Sequence, residues 1–251
     1  MGETPQIFPV LRGLVPFYIG RGELQTAREL GEQMLSLAQR GHDPARLADA
    51  HVQLGGSALF FLGELDAART HLEQGISNTT HRESFRLSRL AQILWHLGYP
   101  GQALQRSQEA LTLARERAQP ARLANALIYA VNLHESRREG RIAYEQAEAA
   151  LVLSREQGFA FRLAEAMVLR GWALAEQGQG EAGIAQIRQG IAAQRATGGM
   201  STGPLALLAK ACWNLGQREE GLRVVAEALA IENSNGGGGG RRSCIGSRGS
   251  C

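Results

Sequence analysis

The run Gly178-Gln179-Gly180-Glu181-Ala182-Gly183 spells G-x-G-x-x-G. That spacing lays backbone amides against a pyrophosphate when a strand feeds a helix. Here it follows the helix-patterned RGWALAEQ, so the strand is missing and no nucleotide is expected. Lys210, the only lysine, has no glycine-rich loop ahead of it, which removes a P-loop. His42, His51, His71, His81, His96 and His134 show neither H-x-x-x-H nor H-E-x-x-H spacing and read as surface or groove side chains. Cys212 lies in a helical pattern as a small core residue, while Cys244 and Cys251 fall in a terminal tail. Three such cysteines make neither a disulfide framework nor a zinc site. Asn78-Thr79-Thr80 matches a glycosylation acceptor, but no secretion signal accompanies it. With no serine-nucleophile elbow and no Cys/His pairing, the expectation is a chain with no enzyme activity, no cofactor and no metal.

What remains is recognition chemistry, carried by Trp95, Trp172 and Trp213 with amides and charges of both signs around them. A repeat positions these residues. The turn residues Gly22, Gly63, Gly98, Arg138, Gly178 and Gly216 stand 41, 35, 40, 40 and 38 residues apart. A period near 40 with two helical patterns in each unit predicts a helical solenoid. In the second unit Leu47, Val52, Leu54, Leu59 and Phe60 mark a first helix over 45–62, and Leu65, Ala68, Leu72 and Ile76 mark a second. Five residues after each turn stands Ala27, Ala68, Ala103, Ala143, Gly183 or Gly221, small enough for two helices to approach closely. Seven further on come Gly75, Ala110, Ala150, Gly190 and Ala228, with Met34 in the first unit. Pro44 and Pro120 suit first helical turns. The units are expected at about 5–40, 44–77, 83–118, 120–157, 160–198 and 202–233, with SNTTHRES (77–84) as a connector.

Small residues at the helix contacts are the mark of a tetratricopeptide repeat (TPR), here about six residues longer than the usual ~34. The stretches FLGELDAARTHLEQGI, LGYPGQALQRSQEALTLARE and LRGWALAEQGQGEAGIAQIRQG resemble the long TPRs of MalT-like regions, over roughly residues 4–233. Such regions form the C-terminal part of large bacterial signalling ATPases of the STAND type, many with a cyclase or a LuxR-type DNA-binding domain. The resemblance implies a sensor or interaction region; the ATPase and cyclase motifs of those proteins have no counterpart here.

Charge points away from nucleic acid and membrane. The net +3 comes from Arg241, Arg242 and Arg248, and without them 24 basic residues face 24 acidic ones. Arg, Glu or Gln interrupts every apolar stretch short of a membrane span, and MGETPQIFPVLRGL carries no signal-peptide pattern. A cytoplasmic protein is expected. Nearly all basic residues are Arg, which fits a GC-rich bacterial gene. The tail SNGGGGGRRSCIGSRGSC (234–251) fits no repeat. Codons for RRSCIGSRGSC, read one base earlier, can spell EAELYRLKGEL, a first-helix pattern. The tail thus reads either as a flexible linker or as out-of-frame translation of a seventh repeat. That ending, with a start inside a repeat, points to a fragment.

The sequence therefore predicts an all-α, TPR-like α-solenoid of about six helix-turn-helix repeats in a right-handed superhelix. Its first helices should line a concave face. With the turn residue as position 15, positions 2, 5, 9, 12 and 13 place Gln53, Ser57, Phe60, Ser88, Gln92, Trp95, His96, Asn132, Glu135, Trp172, Glu176, Lys210, Trp213 and Asn214 there. Each tryptophan could dock a partner or pack against the neighbouring first helix as core. The expected partner is a protein or peptide, or a small effector, with self-association open. The function expected is a non-catalytic binding scaffold, either the sensor of a signalling ATPase or a free-standing adaptor.

Overall fold

The computed structural model describes residues 7–75, 83–197 and 202–235, and every regular element among them is helical. Asn78, Thr79, Thr80, His81 and most of the 77–84 connector lie outside the described residues, as does the tail from residue 236. The first unit comprises α1 (Ile7–Gly20) and α2 (Leu24–Arg40). In the second, α3 runs Pro44–Gln53, continues as a π-helical stretch Leu54–Leu59 and ends with Phe60–Leu62, before α4 (Leu65–Gln74). Four more pairs follow: α5 (Glu83–His96) with α6 (Pro100–Glu116), α7 (Pro120–Ser136) with α8 (Gly140–Glu156), α9 (Ala160–Glu176) with α10 (Gly180–Ala196), and α11 (Gly203–Asn214) with α12 (Arg218–Asn235). Each helix packs on the next, and the first helices also touch one another from unit to unit, so they line a common inner face. The fold is a TPR-like α-solenoid. No helix among the described residues is long and apolar enough to cross a membrane.

The turns within units are one motif repeated. All six turn residues take positive φ, from 57° at Arg138 to 86° at Gly98. The next amide donates back five residues, as from Glu64 N to the Leu59 carbonyl at 3.0 Å and from Tyr99 N to that of Leu94 at 2.8 Å. This is the Schellman ending, which caps orphan carbonyls and favours glycine because a Cβ is strained there. The three turns between units that are described throughout behave alike: His42, Ala118 and Gly158 also have positive φ, the first two without a residue type that demands it.

The small residues sit where the period placed them. Ala27, Ala68, Ala103, Ala143, Gly183 and Gly221 are all buried. The tightest crossing joins α9 and α10, where a Cβ on Gly183 would lie 2.5 Å from the Gly171 carbonyl oxygen and 2.8 Å from Ala175 N. Two members of the G-x-G-x-x-G run are thereby explained by packing and turn geometry: Gly183 by this crossing, and Gly178 by its φ of 84°. Two hydrophobic clusters form the core, one reaching from Phe8 to Leu133 and the other from Leu111 to Val224, so they overlap at α6 and α7. Cys212 is buried in the second, and burial pushes its thiol up.

The continuous first α-helix expected over 45–62 is corrected by the π-helical stretch. Pro44 stands 19 residues before its turn residue, whereas Pro120 and Ala160 stand 18 before theirs. A π-bulge absorbs one inserted residue without breaking the helix. Gly55 permits it, since a Cβ there would meet Ala68 O at 2.8 Å and His71 Cβ at 2.7 Å.

Candidate binding groove

The insertion in α3 resets the register of the inner face. Counted from the helix start, Gln53 of α3 becomes equivalent to Tyr129 of α7, and Tyr129 in turn to Arg89 of α5. One helical turn earlier stand Asp49, Phe85, Asn125 and, in α9, Glu165. These rows border a groove of about 840 Å³ lined by α1, α3, α5, α7, α9 and the turns before α7 and α9. Among the described residues, none of a second helix contributes to it. Its cationic lining residues are Arg12, Arg89, Arg122 and Arg162, and no carboxylate lines it among the described residues. Phe61, Phe85, Tyr129 and Phe159 supply aromatic surface, and Gln53, Gln119, Asn125 and Gln157 supply amides.

Arg12 lies 3.6 Å from Asp49, and Arg162 pairs with Glu165, two carboxylates that are not among the lining residues. Burial pushes the Glu165 carboxyl above its usual range, against the pull of Arg162 and of the more distant Arg89. Arg89 itself is only 7% exposed and has no carboxylate at ion-pair distance among the described residues. Its Nη1 donates to Gln92 Oε1 at 2.8 Å and its Nη2 to Tyr129 Oη at 3.1 Å. Four rings surround its guanidinium, with centroids at 4.5 Å (Phe60), 4.9 Å (Tyr129), 5.4 Å (Phe61) and 5.7 Å (Phe85). Arginine stacks on aromatic faces and is weakly hydrated, which lets this charge survive burial. Gln119 Oε1 and Asn125 Oδ1 are buried acceptors without a hydrogen-bond partner.

The sequence-derived face divides into two halves. Gln53 and Ser57 line the groove, with Gln53 Nε2 donating to the Arg12 carbonyl at 3.0 Å. Phe60 and Gln92 support it from beneath through Arg89. Ser88 is buried and donates to the Ser84 carbonyl at 2.8 Å, a bond internal to its helix. Trp95 packs half-buried on the N-terminal core cluster, and His96 is exposed, 6.2 Å from the Phe60 ring. Asn132 is half-buried. In the later units the candidates pair with each other. Lys210 Nζ reaches Glu135 at 2.9 Å, crossing the Trp172 ring at 5.3 Å, and Asn214 donates to Glu176 at 3.3 Å. Trp172 is 0% exposed, so its ring is core. Trp213 is 58% exposed with Arg218 over it.

Arg12, Phe61, Phe85 and Asn125 occupy the positions the period singles out and could have been added from sequence. Arg89 and Tyr129 stand one position off that pattern, and only the neighbouring rings show their role. A second depression, about 530 Å³ between α5 and α6, is lined by Arg86, Glu83, Arg106 and Glu109, which pair among themselves. No group of three or more candidate metal ligands occurs among the described residues.

No protein-family model matches the sequence, and no curated protein does. Solved structures do share the fold. NprR in complex with its cognate peptide NprX aligns with a TM-score of 0.66 at 14% identity, over 93% of this chain and 69% of that one. BtubC (BKLC) from P. vanneervenii gives 0.61 at 15%, over 91% and 99%. The APC/C hetero-tetramer Cut9-Hcn1 gives 0.64 at 16%, over 91% of this chain but 40% of that one.

Proposed function

We propose that the chain is a peptide-binding scaffold whose ligand lies extended along the groove between α1 and α9. The observation that carries this reading is the lining itself: one continuous groove across five units, walled by rings, with buried amide acceptors that have no partner. An unpaired buried acceptor is costly. Backbone N–H groups of an extended chain, which recur every ~3.3 Å, would satisfy Gln119 and Asn125 once their side-chain amides turn towards the groove. The aromatic walls would take alternate side chains. A solved structure of the same fold, that of NprR, holds a cognate peptide, which supports peptide binding as a use of this fold. The open half of the inner face is the N-terminal one, because Lys210 and Glu135 bridge the other.

Within this reading the chain serves as the sensor or interaction region of a larger bacterial signalling ATPase, the context its resemblance to MalT-like regions implies. Ligand binding would favour one of two arrangements of the parent protein by its difference in affinity for them. A reading frame joining this region to a nucleotide-binding module supports that placement; a frame with no such module leaves a free-standing adaptor. The binding claim is tested with a pool of random octapeptide amides passed over immobilised protein. Retention is expected, and Asn125→Ala should lower it about 2–10-fold, as loss of one buried hydrogen bond does, with an unchanged Tm. No retention, or equal retention by the variant, overturns the groove as the site.

A further inference from the structure

We propose that the groove selects an acidic peptide, and that Arg89 receives a carboxylate side chain from the ligand's middle. The inference rests on the peptide reading above and names its ligand class. Arg89 is more than nine-tenths buried, lines the groove and lacks a carboxylate at ion-pair distance among the described residues. Two of its five N–H donors are used, by Gln92 and Tyr129. The rings around it stabilise the cation and also keep water away, which strengthens any ion pair made there. Glu165 contributes a distant attraction, but its hydrogen bond goes to Arg162. Arg12, Arg122 and Arg162 also line the groove, but Arg12 and Arg162 are already paired with Asp49 and Glu165, so the preference is carried by Arg89.

A side-chain carboxylate fits better than a chain-terminal one. Arg89 stands on α5, the third of the five first helices lining the groove, so a peptide continues past it on both sides. Carboxylate suits guanidinium because its two oxygens can accept a pair of N–H bonds at once.

The test uses the full chain and two pools of octapeptide amides, XXXEXXXX and XXXQXXXX, with X drawn from neutral residues. The Glu pool should be retained on the order of tenfold more than the Gln pool at low salt, and the ratio should fall as NaCl rises. Arg89→Met, which keeps the stem among the rings, should bring the ratio to one while both pools still bind. Unequal retention that survives in Arg89→Met overturns the assignment, with thermal unfolding confirming that the variant is folded. Equal retention of both pools by the wild type overturns the acidic preference and leaves the peptide reading standing; retention of neither removes both. A phosphoserine pool preferred over Glu by tenfold would transfer the site to phosphopeptides and refute the carboxylate.

Discussion

Replacing Gly183 by Ala puts one methyl group into the closest helix crossing. Its Cβ would lie 2.5 Å from the Gly171 oxygen, 2.8 Å from Ala175 N and 2.9 Å from Ala175 Cβ, where ordinary contact begins near 3.4 Å. Two of those three atoms are backbone, so no side chain can turn away and α10 must retreat from α9 by roughly 1 Å to restore contact distance. Overpacking of this kind costs about 1–3 kcal/mol, and the backbone contacts favour the upper end. Alanine's better helix propensity returns about 1 kcal/mol. The net expectation is a loss of about 2 kcal/mol, read as a fall in Tm of about 4–8 °C by circular dichroism. Gly13→Ala is the control, since nothing lies within 4 Å of a Cβ there and it is interior to α1. It should gain about 0.5–1 kcal/mol. A Gly183→Ala protein as stable as the wild type would refute the close crossing, and with it the register on which the groove depends.

Ala118 has a φ of 46°, so Ala118→Gly should raise stability by up to about 1 kcal/mol, whereas Gly63→Ala, strained at φ 78° with open space around it, should lower it by about 1–2 kcal/mol; unfolding curves of the pair report both. Trp172→Ala should cost about 3–5 kcal/mol as a core deletion, seen as a large fall in Tm, while the exposed Trp213→Ala should stay near neutral. His51 and His71 meet Nδ1 to Nδ1 at 2.9 Å, and burial holds both below the ordinary histidine value of 6.5. Their neutral forms belong to the folded state, so this contribution is intact above pH 6.5 and is lost as pH falls towards the lowered values. Tm should therefore decline on acidification from pH 7 to pH 5, and less steeply in the His51→Asn, His71→Asn double variant; parallel slopes would contradict the pair's role.

How much of this was legible depended on whether a residue's type advertises its geometry. Five of the six turns within units carry glycine at positive φ, and the period then located Arg138 as the sixth. Between units, His42 and Ala118 adopt the same backbone without a residue type that demands it. The buried Ala and Gly rows were readable because close helix contact admits little else. The inserted residue in α3 was not, since a spacing of 41 beside 40 and 38 looks like ordinary drift. That single residue moves Gln53 onto the row of Arg89 and Tyr129. Trp172 and Trp213 share a residue type and a helix pattern, yet one is core and the other exposed. The end of the array decides between them, because α11 has a neighbouring first helix on one side only among the described residues.

The groove is tested most directly by photo-crosslinking from within it. A benzophenone amino acid in place of Tyr129, with the XXXEXXXX octapeptide pool, should yield crosslinked peptide that excess unlabelled pool removes. The same probe at Val152, exposed on the second helix α8, should yield none. Crosslinks from position 152 equal to or above those from position 129 would contradict the account.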